Sequence, residues 1–348
     1  MGEVVQLLRV GVAGAAGLLG RELLAVLEQR RLPVVELVPI GSESSEGEGV
    51  EFHGDDLPLL PPDRDLAGLD LLFLCAPAER SLELARRALH ARVPCFDLSG
   101  ALARSEDVPI LDAEGDPTRL AEGLAAPLIS VAGGPALAWG RVLAPLAAEA
   151  GLARVQATGL ESASTAGRRA FTALSMETAA LLNQQEAPEC DAFPWPLAFD
   201  CHPATDEADL AGRSGREAEL GASLQRLLGC ELVLDCTVLR IPTFSGEGAL
   251  LAVETERPLA AAEAATRLAK APGIEVVSHD RGALRTRASS GRESVLVGRI
   301  RDAARSPGLL LWLTADSQRL TALNAVRLAE LRTAQGPASG PEPDADLE

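Results

Sequence analysis

The chain has 348 residues, with 32 Lys and Arg against 50 Asp and Glu and a formal charge of −18. That acidity excludes nucleic acid as a partner, because phosphate binding needs clustered cations, and it argues against an anionic membrane surface. With 47% hydrophobic and 24% charged residues the composition is globular, and the length suits two cores rather than one.

No apolar run approaches the roughly 18–20 residues of a membrane span. The opening Met1-Gly2-Glu3 shows no basic segment leading into an apolar stretch, so no signal peptide is expected. Cys75, Cys95, Cys190, Cys201, Cys230 and Cys236 form no C-x-x-C pair, which fits reduced structural thiols and a cytoplasmic location. His53, His90 and His279 show no metal-ligand spacing, so no metal is expected.

In chain order, Leu8 to Ala13 reads as a buried strand and Gly14-Ala-Ala-Gly17-Leu-Leu-Gly20 follows at once. Leu23, Leu24, Val26 and Leu27 then have helical spacing, and Val34 to Ile40 reads as a second strand. Strand, glycine loop, helix and strand within about 30 residues is the context of a dinucleotide-binding fold. The glycines let the backbone approach a pyrophosphate, and the helix start offers N–H groups. Gly14, Ala16, Gly17, Leu18 and Gly20 are therefore the candidate cofactor contacts, with Ser42 and Glu43 after the second strand. Glu43 lies 23 residues past Gly20, near the spacing at which a carboxylate accepts from the ribose 2′-OH, or it is a solvated loop charge. The loop has no arginine for a 2′-phosphate, so NAD is expected ahead of NADP.

Further strands are predicted at Leu71–Leu74, Val93–Asp97, Pro127–Ser130 and Leu309–Thr314, and further helices at Ser81–His90, Ala136–Glu149 and Leu320–Leu331. Between about 133 and 314 longer strands alternate with helices (231–241, 249–254, 294–301), which predicts α+β with a mainly antiparallel sheet. The expectation is thus an α/β protein: a Rossmann-type domain from 1–132 and 315–334, an α+β dimerisation or substrate domain from 133–314, and a disordered tail at 335–348. The hydroxyls of the 159–167 segment are expected to cap a helix starting at Arg168.

Together these segments resemble the aspartate-semialdehyde dehydrogenase family over nearly the whole chain. The resemblance rests on the opening from Arg9 to Leu24, on Phe193-Pro194-Trp195-Pro196-Leu197-Ala198-Phe199-Asp200, on Val297-Gly298-Arg299-Ile300-Arg301 and on Asn324 to Glu330. It implies a homodimer, and an activity in which a cysteine thiolate attacks an aspartyl phosphate, a histidine moves the proton and NADPH reduces the acyl group. The positions that would carry this chemistry depart from the family. Gly134 takes the place of the cysteine, Glu247 of the histidine and Glu161 of a glutamine. Ala103 replaces a phosphate-binding arginine, with Arg104 beside it, and Ser44 replaces the arginine that marks NADP. Arg216 and Glu219 reverse a Glu-x-x-Lys pair, while Arg240 is kept as a carboxylate fork.

The chain is in this most similar to the usg-type paralogues that lack the cysteine. The expectation is a catalytically silent NAD-binding homodimer with Arg240 either open to a small carboxylate or held in a salt bridge across the dimer or domain interface. The alternatives are an oxidoreductase using non-thioester chemistry with Glu161 or Glu247 as base, and a regulatory scaffold. Cys75 at a strand end and the Cys201-His202 pair read as structural, since neighbours on a strand point to opposite faces.

Overall fold

The computed structural model describes residues 7–30, 32–42, 45, 47–188, 192–203, 212, 214–277, 282, 284–304 and 308–335. Glu43, Ser44, Cys190, His279 and the tail beyond Gln335 lie outside them. The chain divides into two compact units, Met1–Gly133 with Thr321–Glu348, and Gly134–Leu320.

The first unit runs β1 (Leu8–Ala13), α1 (Leu18–Gln29), β2 (Val34–Ile40), the hairpin strands β3 (Gly49–Phe52) and β4 (Asp55–Pro58), β5 (Leu71–Leu74) and α2 (Ala78–His90). It continues with β6 (Cys95–Asp97), β7 (Ile110–Leu111), α3 (Pro117–Gly123) and β8 (Leu128–Val131). Six strands form one sheet in the order β2-β1-β5-β6-β8-β7, and all its pairs are parallel. Both faces are covered, as a parallel sheet requires. Val10, Val12, Phe73, Phe96 and Ile129 pack with Leu23, Leu24 and Leu27 of α1 and with Leu323 and Val326 of the last helix. Leu72, Leu74 and Cys95 point the other way and meet Leu84, Ala85 and Ala88 of α2, the period-2 alternation of a strand. The β3–β4 hairpin was not foreseen from sequence. Its turn is His53-Gly54, both at positive φ (52° and 84°), the twist a two-residue hairpin favours.

The second unit holds α4 (Gly134–Ala150), β9 (Arg154–Glu161), α5 (Arg168–Leu182), β10 (His202–Pro203), α6 (Gly215–Leu228), β11 (Leu234–Arg240) and β12 (Glu247–Glu254). Then come α7 (Ala261–Leu268), β13 (Ile274–Val276), β14 (Val295–Asp302), β15 (Gly308–Ala315) and the first turn of α8 (Ser317–Ala334). The seven-stranded sheet has the order β10-β11-β9-β12-β15-β14-β13. It is mainly antiparallel, but β9 pairs β11 and β13 pairs β14 in parallel, so it is a mixed sheet. Trp139 of α4 lies against Gly159 of β9, where a Cβ would stand 3.0 Å from the indole.

The expected cap of α5 is corrected. A short 3-10 helix (Ala163–Ala166) intervenes, the N-cap is Gly167, and no side chain caps it. The hydroxyls are turned inward: Ser162 and Ser164 pair at 3.0 Å and Thr165 donates to the Ser162 carbonyl at 2.7 Å.

Candidate functional site

The glycine loop joins β1 to α1. Gly14 takes φ +77°, and a Cβ there would lie 2.7 Å from the Cys75 backbone. Gly17 is the N-cap of α1 and brings no side chain to the first-turn N–H groups, leaving the positive end of the helix open to an anion. A Cβ on Gly20 would overlap the Gly14 carbonyl oxygen, so only glycine lets loop and helix approach this closely. Ala16 is buried and its carbonyl accepts from Arg21 Nε at 3.1 Å; Leu18 is half-buried. Ser42 is exposed and its hydroxyl meets that of Ser45 at 2.7 Å. Ser99, near the lost arginine position Ala103, donates to Asp97 at 2.5 Å.

The other candidate residues gather at one end of the mixed sheet. Glu161 ends β9, and the parallel register sets it beside Arg240, the last residue of β11. Side chains in register leave the same face, so carboxylate and guanidinium meet: Arg240 Nη1 is 3.2 Å from Glu161 Oε2. The same Nη1 donates to Thr165 Oγ1 at 2.6 Å. From α6, Arg216 donates through Nε (3.1 Å) and Nη2 (3.0 Å) to Glu161 Oε1, and Glu219 lies 3.8 Å from its Nη1. Glu161, whose side chain is 2% exposed, is thus gripped by two arginines. Burial opposes the charge on Arg216, but Glu161 and Glu219 raise its pKa overall.

Glu247 starts β12, which runs antiparallel to β9 with Gly248 opposite Leu160, so it faces the same end. It is buried and accepts from the Ser317 hydroxyl. Burial first, then the charges of Glu161 and Asp316, push its pKa well above the carboxylate range, while Arg216 and Arg240 pull the other way. The acid therefore holds its proton to higher pH than an exposed carboxyl does. Asp316 is held by the backbone N–H of Gly291 (2.7 Å) and of Arg319 (3.1 Å). Glu161 and Glu247 both line a cavity of about 10 Å³ with Pro135, Trp139, Gly159 and Ala315, room for roughly one water molecule.

Gly134 opens α4 at φ +55°, and a Cβ on it would have Arg216 Nη2 as its nearest neighbour at 3.7 Å. There is room for a side chain, but the backbone conformation disfavours one. The other thiols do not replace it. Burial, helped by Asp97, raises the Cys75 thiol far from the thiolate range. Cys201 is exposed while His202 is buried beside Phe193 and Trp195, so the pair diverges.

The sequence points to Gly134, Glu161, Glu247 and Arg240 as family positions, but not to the pairing of Arg216 with Glu161 or to the contacts of Thr165, Asp316 and Ser317. The available signal was charge compensation: relative to the family pattern, an added negative charge at 161 and an added positive charge at 216 are complementary. Among the described residues no cluster of three or more His, Cys, Asp and Glu could hold a metal ion, and no helix is long and apolar enough to cross a membrane.

Two family models match the chain: the semialdehyde dehydrogenase NAD-binding domain over residues 9–122 and the semialdehyde dehydrogenase dimerisation domain over residues 143–319. The aspartate-semialdehyde dehydrogenase of Aquifex aeolicus is 31% identical over 335 residues, covering 94% of this chain and 98% of that one. A USG-1 protein homolog of Azotobacter vinelandii is 31% identical over 332 residues, with the same coverage of 94% and 98%. A crystal structure of aspartate semialdehyde dehydrogenase II of Vibrio cholerae, complexed with ASA, superposes with a TM-score of 0.90 at 29% identity, covering 95% of this chain and 99% of that one.

Proposed function

The chain belongs to the semialdehyde dehydrogenase family, and we propose that within it this protein is a dinucleotide-binding homodimer without the family's phosphorylating dehydrogenase reaction. The observation that carries the reading is Gly134 at the head of α4, where the family's chemistry needs a thiolate. A glycine cannot form the acyl intermediate. The acid/base position is occupied by Glu247, a buried carboxyl whose pKa is pushed up by burial and which already accepts from the Ser317 hydroxyl. Glu161 is committed to Arg216 and Arg240. Both features disfavour non-thioester chemistry run by either glutamate.

What is kept supports binding. The glycine loop retains the close approach of Gly14, Gly17 and Gly20, and the open start of α1 suits a pyrophosphate. The absence of arginine from the 42–47 segment and the presence of Glu43 there favour NAD over NADP. Dimer formation is supported by the sheet face opposite α4, where Leu160, Leu250, Leu310 and Trp312 stay partly exposed in adjacent strands. Absence of a metal requirement and a cytoplasmic location complete the reading.

The test is direct. Purified protein given aspartate semialdehyde, phosphate and NADP or NAD should reduce neither nucleotide; turnover with either one would refute the proposal. Calorimetric titration should show NAD binding ahead of NADP, and the opposite order would remove the Glu43 argument.

A further inference from the structure

A carboxylate held between two guanidiniums is the geometry of a bound acid anion, and in this site that carboxylate belongs to the chain itself. Arg216 grips Glu161 Oε1 through two nitrogens at 3.1 and 3.0 Å, and Arg240 approaches Oε2 at 3.2 Å. We infer that Glu161 is an internal ligand, its carboxylate filling the oxyanion subsite that Arg216 and Arg240 make, so that small carboxylates and phosphate are turned away. The inference rests on this ion pairing and stands whether or not the family reaction is absent.

Three observations carry it. Both oxygens of Glu161 are used, one on each arginine, as a bidentate ligand would use them. The tethered carboxylate gives up no translational freedom on binding, so a free anion must displace a competitor of high effective concentration. The arginines themselves remain reachable: the Arg216 side chain is 33% exposed and that of Arg240 16%, against 2% for Glu161.

The local charges agree. Glu247 is buried and bound to the Ser317 hydroxyl, Asp316 is engaged by the Gly291 and Arg319 amides, and Glu219 stands 3.8 Å from Arg216. Removing the Glu161 charge therefore takes a carboxylate from both guanidiniums, while the ion pair of Arg216 with Glu219 stays.

The experiment is calorimetric titration of the full chain and its Glu161→Gln variant, with sodium succinate and with inorganic phosphate in separate arms. The variant should gain affinity for at least one anion by roughly tenfold or more over the parent, the scale of a charge-assisted contact. The gain should vanish in Glu161→Gln with Arg240→Met. A gain for succinate alone identifies a carboxylate fork, and a gain for both identifies a general oxyanion site. Parent protein that binds both anions as tightly as the variant overturns the proposal, as does a folded variant that binds neither. Should Glu161→Gln fail to fold, Glu161→Asp keeps the charge but is one methylene too short to bridge both arginines. It should gain succinate affinity, and an unchanged affinity would equally overturn the inference.

Discussion

Glu247 is a carboxylic acid whose pKa is raised by its surroundings. Burial and the negative charges of Glu161 and Asp316 raise its pKa, Arg216 and Arg240 oppose them, and Ser317 donates to it. In the unfolded chain the same group titrates near 4.5. Between that value and the higher folded value the native state holds the extra proton, so native stability falls as pH rises, by at most about 1.4 kcal/mol per pH unit. Below 4.5 both states are protonated and the difference is constant. Glu247→Gln keeps the shape and the acceptor for Ser317 but has no proton to lose. Its stability relative to the parent should therefore climb with pH above 4.5, read as denaturation midpoints across a pH series; a flat difference would show that Glu247 ionises normally. At this scale the sequence was legible wherever a motif fixed the position. Gly134, Glu161, Arg240 and Glu247 were all picked out against the family pattern. Their wiring was not, because Arg216 lies 55 residues from Glu161. Only the docking of α6 beside the end of β9 brings them together, and no local periodicity encodes that. What reads along the chain as separate departures is in space one ion-paired unit.

The elements follow from local rules where one rule dominates. β1, the glycine loop, α1 and β2 were predicted with their observed bounds for the strands, since apolar runs and glycines agree there. Gly20 shows how tightly that agreement is set. Alanine is the better helix former by about 1 kcal/mol, yet its Cβ would overlap the Gly14 carbonyl oxygen and crowd Ala15. Overlap in a packed site costs about 1–3 kcal/mol, so the clash outweighs the propensity. Gly20→Ala should lower unfolding stability by that order and weaken dinucleotide binding together; a stabilised variant that still binds would mean the loop is not close-packed. The rule failed at the 159–167 segment. Hydroxyls before a helix usually cap it, but here Thr165 accepts from Arg240 and donates to Ser162, a charge-assisted bond that takes the acceptor away from the helix N–H groups. The last helix shows the reverse. Asn324 lies within an apolar run, and its amide joins Ala113 N, Leu111 O and Ala132 O, tying α8 to the strand ends of the parallel sheet. Asn324→Ala takes the side-chain partner from the Ala113 N–H and the Ala132 carbonyl, each costing about 1–3 kcal/mol if left unsatisfied, while the Leu111 carbonyl keeps the Ala132 N–H. A marked loss of the unfolding midpoint is expected, and a change within experimental scatter would argue that water replaces the amide.

For the whole molecule, the charge of −18 sets how two copies can meet. Like-charged chains repel, and salt screens that repulsion with a Debye length of about 10 Å at 0.1 M. Association of the proposed homodimer is therefore expected to be driven by apolar surface, and the mixed sheet offers one. Leu250 is 40% exposed in the middle of β12, with Leu310 and Trp312 on the neighbouring β15 on the same face. The opposite face is already filled by α4 through Trp139 against Gly159. An apolar interface between acidic subunits has a recognisable signature: dimerisation should strengthen as salt is added, whereas an interface built on ion pairs would weaken. Sedimentation velocity over a salt series measures this. Leu250→Asp should shift the population toward monomer by placing a buried, unpaired charge at the interface, while leaving the unfolding of the monomer nearly unchanged, since the side chain there is already exposed. A dimer insensitive to Leu250→Asp would move the interface off this face, and one that dissociates with salt would make ion pairs, not the leucines, its source.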